Sequence, residues 1–385
     1  MLGRVSTEQM TAWVTIDLDA IAHNVGELKR RAGNAEVMAV VKGDAYGHGL
    51  LPSARAALRG GASWLGVAQM AEALQLRAAG IQAPVLTWLH APGTDFGPAV
   101  QQGIDIGVPA VWELDEVAAA ARAAGTTARV QLKADTGLAR NGAYGKDWDL
   151  LRDAAARLQA EGVIDVTGLF THFAYADSPQ HPTVLQQQEL FAERVADADR
   201  AGLAVGVRHM SNSAATLTTP GAAWDMVRPG LAVYGLSPVP DLGDPASFGL
   251  RPAMTVTARA TVAKRVPAGQ GVSYGHTYVT PRETTLVDVP IGYADGVPRH
   301  ASGVGPVQVD GHRFTVSGRV CMDQFMIDVG DLPAQAGSEI VLFGAGDRGE
   351  PTAQDWAEAI GTISYEIVTR MSGRLPRRYV GDGAH

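Results

Sequence analysis

The sequence predicts an α/β protein: an N-terminal (β/α)8 TIM-type barrel over residues 12–239, then a mainly β domain over residues 240–385. Three observations carry this. A short apolar strand, a polar or glycine-rich turn and a stretch of helical spacing alternate through the first two-thirds of the chain. The alternation stops near Gly235, and the proline-rich segment 237–252 reads as a linker. Beyond it, apolar residues recur at strand period. An open doubly wound sheet would normally show fewer repeats than the eight strands counted below.

The first helix is expected over 17–33, with Ile21, Val25 and Leu28 on one face and Gly33 as its stop. The eight barrel strands are expected at 37–41, 65–68, 84–88, 104–108, 130–132, 166–171, 205–207 and 225–227. Helices such as 72–79, 114–124 and 187–201 lie between them. A strand preceding the first helix is free to pack with the second domain. In that domain, strands are expected at 254–262, 284–290, 306–309 and 325–329, and helices at 353–360 and 363–371. Asp310-Gly311, between Val309 and Phe314, is a hairpin-turn signal.

Bulk properties bound the function. A chain of 385 residues suggests two or three domains, and 46% hydrophobic with 19% charged residues is ordinary for a globular protein. Net charge is −8 with no basic block, so nucleic acid is not an expected partner. The only cysteine is Cys321, which excludes an intramolecular disulfide and suits a reducing compartment. The first twenty residues lack a secretory pattern, and no apolar run approaches the ~20 residues of a membrane span. Zinc-ligand spacings and the phosphate loop ending in Gly-Lys-Ser/Thr are absent. The expectation is a cytoplasmic protein with no membrane partner and no metal.

The chemistry is concentrated at the strand ends. Val37–Val41 is an apolar run followed by Lys42-Gly-Asp-Ala-Tyr46-Gly-His-Gly49. A lysine there is costly to desolvate unless something uses it, and the three glycines let backbone approach a ligand. The fifth strand leads into Lys133-Ala-Asp135-Thr-Gly-Leu-Ala-Arg140, the sixth into Thr171-His172, the seventh into Arg208-His209 and Asn212-Ser213, and the eighth into Arg228-Pro229-Gly230. Catalytic residues of such barrels cluster at this end of the strands, and phosphate often binds after strands seven and eight. Asn212-Ser213 and Gly230-Leu231 supply N–H and hydroxyl donors there. A phosphate at one end and a lysine amine at the other imply pyridoxal 5′-phosphate, joined as a Schiff base.

These stretches, together with Asp17-Leu-Asp-Ala-Ile, Ser273-Tyr274-Gly275, Ile291-Gly-Tyr293-Ala-Asp-Gly296, Val320-Cys-Met322-Asp323 and Gly361-Thr-Ile-Ser-Tyr365-Glu, closely resemble the alanine racemases. The resemblance spans nearly the whole chain. It implies a homodimer whose active sites lie between the barrel of one subunit and the C-terminal domain of the other. It implies that Lys42 holds the cofactor and that Tyr274 is the opposing catalytic base. Tyr46, Ser213, Gly230, Leu231 and Tyr365 would hold the phosphate, with Asn212 and His172 nearby, and Arg228 would face the pyridine nitrogen. Arg140 and Met322 would contact the substrate carboxylate. Lys133, His209, Tyr293 and Asp323 would support the site, and family members often carry a carbamate on the lysine matching Lys133.

The sequence departs from common family usage at Gly43-Asp44, Leu138-Ala139 and Ser364, none of which touches the acid–base pair. The reaction implied is interconversion of L- and D-alanine for peptidoglycan. A racemase of broader specificity is the nearest alternative. A decarboxylase would use Cys321 but would pair the ring nitrogen with an acid, where this chain offers Arg228. A non-catalytic cofactor carrier would have no need of residues 240–385.

Overall fold

The computed structural model describes residues 10–371 and 373–384. They divide into two compact units, one of residues 21–45 and 50–251 and the other of the described parts of 1–20, 46–49 and 252–385. This differs from a cut between residues 239 and 240. Asn24 accounts for the end of the linker: its Oδ1 accepts from the Arg251 N–H at 2.8 Å and its Nδ2 donates to the Arg251 carbonyl at 2.9 Å. The linker's last residues therefore belong to the barrel.

After the N-terminal strand β1 (Ala12–Asp17), the barrel strands are β2 (Glu36–Val40), β3 (Trp64–Val67), β4 (Val85–Thr87), β5 (Asp105–Val108), β6 (Ala128–Lys133), β7 (Ile164–Phe170), β8 (Val207–His209) and β9 (Met226–Val227). They pair in parallel in the order β8-β7-β6-β5-β4-β3-β2-β9. β8 lies two residues later than the apolar pattern suggests. The seam between β8 and β9 has no ladder, but the Asp225 N–H donates to the Arg208 carbonyl at 3.0 Å and the Arg228 N–H to the Ser211 carbonyl at 2.7 Å. The ring is thus nearly closed.

Strands covered on both faces must be apolar along their length, and Met38, Trp64, Leu86, Phe170 and Met226 form a continuous cluster inside. The outer helices bury one stripe each: Leu114, Val117 and Ala121 from Val111–Ala124, and Trp148, Leu151 and Leu158 from Lys146–Ala160. The first helix, Leu18–Ala32, buries Ile21, Val25 and Leu28 completely. Asp17 starts it by accepting from the N–H groups of Asp19 and Ala20.

The second unit is built on a six-stranded sheet ordered β16-β15-β18-β10-β1-β19. Its strands are β10 (Met254–Arg259), β15 (Pro306–Val309), β16 (His312–Thr315), β18 (Glu339–Phe343) and β19 (Arg377–Val380), with β1 between β10 and β19. β1 pairs antiparallel with β10 and parallel with β19, which places the chain's first strand in this unit. The expected strand 254–262 is two strands in two sheets, because β11 (Val262–Val266) pairs instead with β14 (Thr284–Val289), itself paired with β17 (Phe325–Asp328). Short β12 (Gly271–Val272) and β13 (Tyr278–Val279) pair with each other. Asp310 and Gly311, with φ of 44° and 84°, form the two-residue turn between β15 and β16. Helices Ala353–Ile360 and Ser364–Arg370 complete the unit. No helix among the described residues is long and apolar enough to cross a membrane.

Candidate active site

Lys42 stands two residues beyond β2 and opens an unusual turn. Gly43, Asp44, Ala45 and Tyr46 all have left-handed backbone, with φ between 53° and 64°. For L-residues this costs roughly 1–2 kcal/mol each, so the surroundings must hold it in place. The Gly43 N–H donates to Glu72 Oε1 at 2.6 Å, and Asp44 Oδ1 accepts from the Leu50 N–H at 2.7 Å. Lys42 Nζ lies 5.8 Å from the Trp88 ring centroid, within cation–π range. Burial lowers the Lys42 amine below the ordinary lysine range, Arg140 lowers it further, Glu72 opposes this, and Arg228 adds a smaller push downward.

Three further cations share the barrel's C-terminal end. Lys133, the last residue of β6, is 6% exposed, and its amine falls from 10.5 to about 8 through burial and then the charges of Arg228 and Arg140. Asp135 shapes the loop that carries exposed Arg140: its Oδ1 accepts from the N–H groups of Gly137, Leu138 and Ala139. Arg228 is buried, and burial brings its guanidinium down to about 9, which leaves it protonated at neutral pH. Its Nη1 donates to His209 Nδ1 at 2.8 Å, and its Nη2 to the Thr171 carbonyl at 2.6 Å and the Met210 carbonyl at 3.3 Å. His172 Nδ1 lies 3.4 Å from the same Nη2. Arg228 Nε has no partner among the described residues. Burial, reinforced by Arg228, holds both His172 and His209 well below the ordinary histidine range, so both are neutral. The Phe170 ring faces Lys133 Nζ at 5.6 Å and the Arg228 guanidinium carbon at 5.5 Å.

At the ends of β8 and β9, Ser213 Oγ accepts from the N–H groups of Gly230 at 2.8 Å and Ala232 at 3.2 Å. This leaves the Leu231 N–H between them unpartnered among the described residues. Asn212 caps the helix Ser213–Thr218, its Oδ1 accepting from the Ala215 N–H, so that oxygen already has a structural task.

The remaining expected residues lie in the second unit and gather there in two places. Tyr46 is buried, its ring centroid 6.2 Å from that of Tyr365, and burial followed by that neighbour raises its hydroxyl well above the ordinary tyrosine range. It is therefore a permanent donor. Tyr274, 72% exposed, sits where Ser273, Gly275 and His276 all have positive φ. Ser273 Oγ donates to the Arg319 carbonyl at 2.8 Å and lies 3.3 Å from Cys321 Sγ, which ties the Tyr274 turn to the Cys321–Met322 loop. The Tyr293 N–H donates to the Cys321 carbonyl and the Ala294 N–H to the Met322 carbonyl, both at 3.0 Å. A Cβ on Gly292 would come within 2.3 Å of the Met322 carbonyl oxygen, so only glycine permits this approach. Met322 and Tyr293 are exposed alongside Tyr274. Asp323 pairs with Arg374 at 2.6 Å rather than facing this cluster alone. A groove of about 440 Å³ beside Tyr274 is lined by Val272, Leu286, Cys321, Phe325 and Met326 among others.

The N-terminal part, residues 16–238, matches the family model described as alanine racemase, N-terminal domain, and residues 253–379 match alanine racemase, C-terminal domain. The chain belongs to the alanine racemase family. It is 58% identical over 378 residues to the alanine racemase of Frankia casuarinae, covering 98% of each chain. Among solved structures, the alanine racemase of D-cycloserine-producing Streptomyces lavendulae is 55% identical and superposes with a TM-score of 0.96 over 97% of each chain. The family member from Bacillus anthracis with bound L-Ala-P is 36% identical, with a TM-score of 0.88 over 97% of this chain and 96% of that one.

Several residues that tie these loops together escape sequence reasoning. Glu72 lies in the first turn of the helix Met70–Ala78, and its Oε2 accepts from the N–H groups of Ala68 and Gln69. Nothing local reveals its other oxygen on Gly43. Gln187 is buried mid-helix, donates to Thr136 Oγ1 and the His172 carbonyl, and accepts from the Ala174 N–H, joining the loops after β6 and β7. His90 and Glu113, both 1% exposed, pair at 2.6 Å after β4 and β5.

Proposed function

We propose that the protein interconverts L- and D-alanine with pyridoxal 5′-phosphate, using one base on each face of the substrate. The observation that carries this reading is the Arg228 arrangement within an alanine racemase chain. Both Nη atoms make hydrogen bonds to protein, and the Nε–H has no protein partner among the described residues, so it is available to donate to a ring nitrogen. The fit at the other end of such a cofactor is also good. In the barrel unit the Leu231 N–H and the Ser213 hydroxyl are donors suited to a phosphate. In the second unit Tyr46, kept protonated by burial, lies beside Tyr365, and the family reading assigns both tyrosines to that phosphate. Lys42, with its lowered amine, is the residue to hold the aldehyde carbon.

Bound there, pyridoxal phosphate supplies an electron sink for the pair left at Cα when its proton departs. Lys42 Nζ takes or returns that proton on one face, and Tyr274 Oη of the partner subunit does so on the other. Free lysine and tyrosine are weak bases at neutral pH, with reference values near 10.4 and 10. The burial and cation crowding around Lys42 lower this barrier for the amine. Arg140 and Met322 are assigned to the substrate carboxylate, and Lys133, His172, His209, Tyr293 and Asp323 to support. Arg228 can only donate to the ring nitrogen, which limits the sink and favours return of the proton to Cα over side transamination.

The protein acts as a homodimer with shared sites, a reading supported by the exposure of Tyr274, Met322 and Tyr293 and by the apolar groove that Tyr274 helps to line. A cytoplasmic location and supply of D-alanine for peptidoglycan belong to the same reading. The test is L-alanine with purified protein and cofactor in heavy water, followed by proton NMR and chiral chromatography. Loss of the α-proton signal with D-alanine appearing supports it. Exchange without D-alanine means that only one face is served, and no exchange overturns it.

A further inference from the structure

A chain of hydrogen bonds runs through the barrel interior from Arg228 away from the site. Arg228 Nη1 donates to His209 Nδ1 at 2.8 Å, His209 Nε2 lies 2.7 Å from Gln131 Oε1, and Gln131 Nε2 donates to Asp105 Oδ1 at 3.4 Å. His209, Gln131 and Asp105 are completely buried. Asp105 is the first residue of β5, whereas His209 is the last of β8 and Arg228 follows β9, so the chain crosses the barrel from one end of its parallel strands to the other. At the far end Thr167 donates to Asp105, and Arg129 Nε, on a partly exposed side chain, does so at 3.0 Å.

The polarity of this chain is specified twice. A guanidinium has no acceptor, so His209 Nδ1 must accept and the imidazole proton must sit on Nε2. Gln131 must then present Oε1 to that proton, which turns its amide NH2 toward Asp105. Burial raises the Asp105 carboxyl, but the ion pair with Arg129 at 3.0 Å and the Thr167 hydroxyl oppose this and favour the carboxylate, which only accepts and so demands the same orientation of Gln131 from the opposite side. A reversed Gln131 would force the histidine proton onto Nδ1, against an Arg228 N–H. A doubly protonated ring would meet the same clash. Phe170 stacks on His209 at 5.1 Å and 6°, which fixes the ring plane.

We propose that Asp105, acting through Gln131, is a positioning residue for Arg228: it locks His209 as the neutral Nε2-protonated tautomer, and that tautomer holds the guanidinium by Nη1 and keeps Nε available. The inference rests on the reading that Arg228 donates to the cofactor ring. A buried carboxylate at the closed end of the barrel thereby controls the electronics of a group at the open end. Such a network specifies a single arrangement because its buried interior members His209, Gln131 and Asp105 are each hydrogen-bonded on both sides.

Three measurements test it. In 15N-histidine-labelled enzyme, with and without cofactor, His209 should show the Nε2-protonated neutral pattern from pH 5 to 9. A titrating ring or an Nδ1 proton overturns the proposal without any variant. Gln131→Met and Asp105→Asn should each lower kcat roughly tenfold, short of the ~100-fold that misplacing a reacting group by about 1 Å can cost. Both should shift the absorbance of bound cofactor and raise transamination events per turnover, with cofactor affinity within about twofold of wild type. A lowered Tm with spectrum and partitioning unchanged would mean that the chain serves folding alone, and the proposal fails. Arg228→Lys separates the two levels. If it too leaves spectrum and partitioning unchanged, the ring reading is wrong. If it changes them while Gln131→Met does not, only the relay is wrong.

Discussion

Lys133 is held well away from its solution chemistry by burial and by the neighbouring charges of Arg228 and Arg140. Its fall from 10.5 to about 8 raises the free-amine fraction at neutral pH roughly 300-fold, and it is the free amine that attacks carbon dioxide, releasing a proton, to form a carbamate. With labelled bicarbonate, a carbamate carbon signal should be present at pH 8.5, fade as pH falls toward 6, and vanish in Lys133→Ala. Its absence at every pH would leave Lys133 as an amine beside Arg228 and Arg140. On the proposed two-base reading Tyr274→Phe removes one face's base, so proton abstraction from one enantiomer should fall far more than from the other. Equal and mild losses in single-turnover exchange in both directions would contradict two-base chemistry. For Arg228→Glu, a carboxylic partner can give the ring a proton, and the expected result is retained cofactor binding with more transamination per turnover. Unchanged partitioning would remove this account of reaction specificity.

At the scale of elements, the site depends on backbone held by carboxylates. The left-handed turn after Lys42 is held where Glu72 accepts the Gly43 N–H while its other oxygen starts the next helix. Glu72→Gln keeps the shape but gives up charge-assisted acceptance, which is worth about 1.5–3 kcal/mol per bond. Thermal stability should fall, and the cofactor dissociation constant should rise more than KM for alanine. Asp135 does the same for the loop bearing Arg140, so Asp135→Ala should raise KM more than it lowers kcat. The strands and helices that frame these loops were legible, because burial on both faces imposes apolar runs and burial on one imposes helical stripes. The left-handed turn was not. Ala45 and Tyr46 carry no local sign of positive φ, and Glu72, which accepts the Gly43 N–H, is distant in sequence.

At the scale of the whole molecule, the proposed homodimer with shared sites makes a quantitative prediction. A hybrid of Lys42→Ala and Tyr274→Phe subunits would carry one doubly damaged site and one intact site. Random reassortment of the two variants should therefore restore about a quarter of wild-type activity, since about half the dimers are hybrids. No recovery after verified subunit exchange would show that Lys42 and Tyr274 act within one chain or not together. The strand order of the second unit lay beyond sequence reasoning. Pairing of β1 with both β10 and β19 joins the two ends of the chain, and no periodicity encodes which strands meet.

The sequence by itself determined the barrel, the mainly β second part, the family and the identities of the residues at the strand ends. It could do so because strand period, helix stripes and motif order are properties of neighbours along the chain. Only the tertiary structure decided what those residues experience. The depressed amine of Lys133, the neutral histidines around Arg228, and the buried line from Arg228 to Asp105 all arise from groups far apart in sequence and brought together by folding. Desolvation and charge proximity act through space, so a motif can name a lysine or an arginine but cannot set its proton affinity or the direction of its hydrogen bonds.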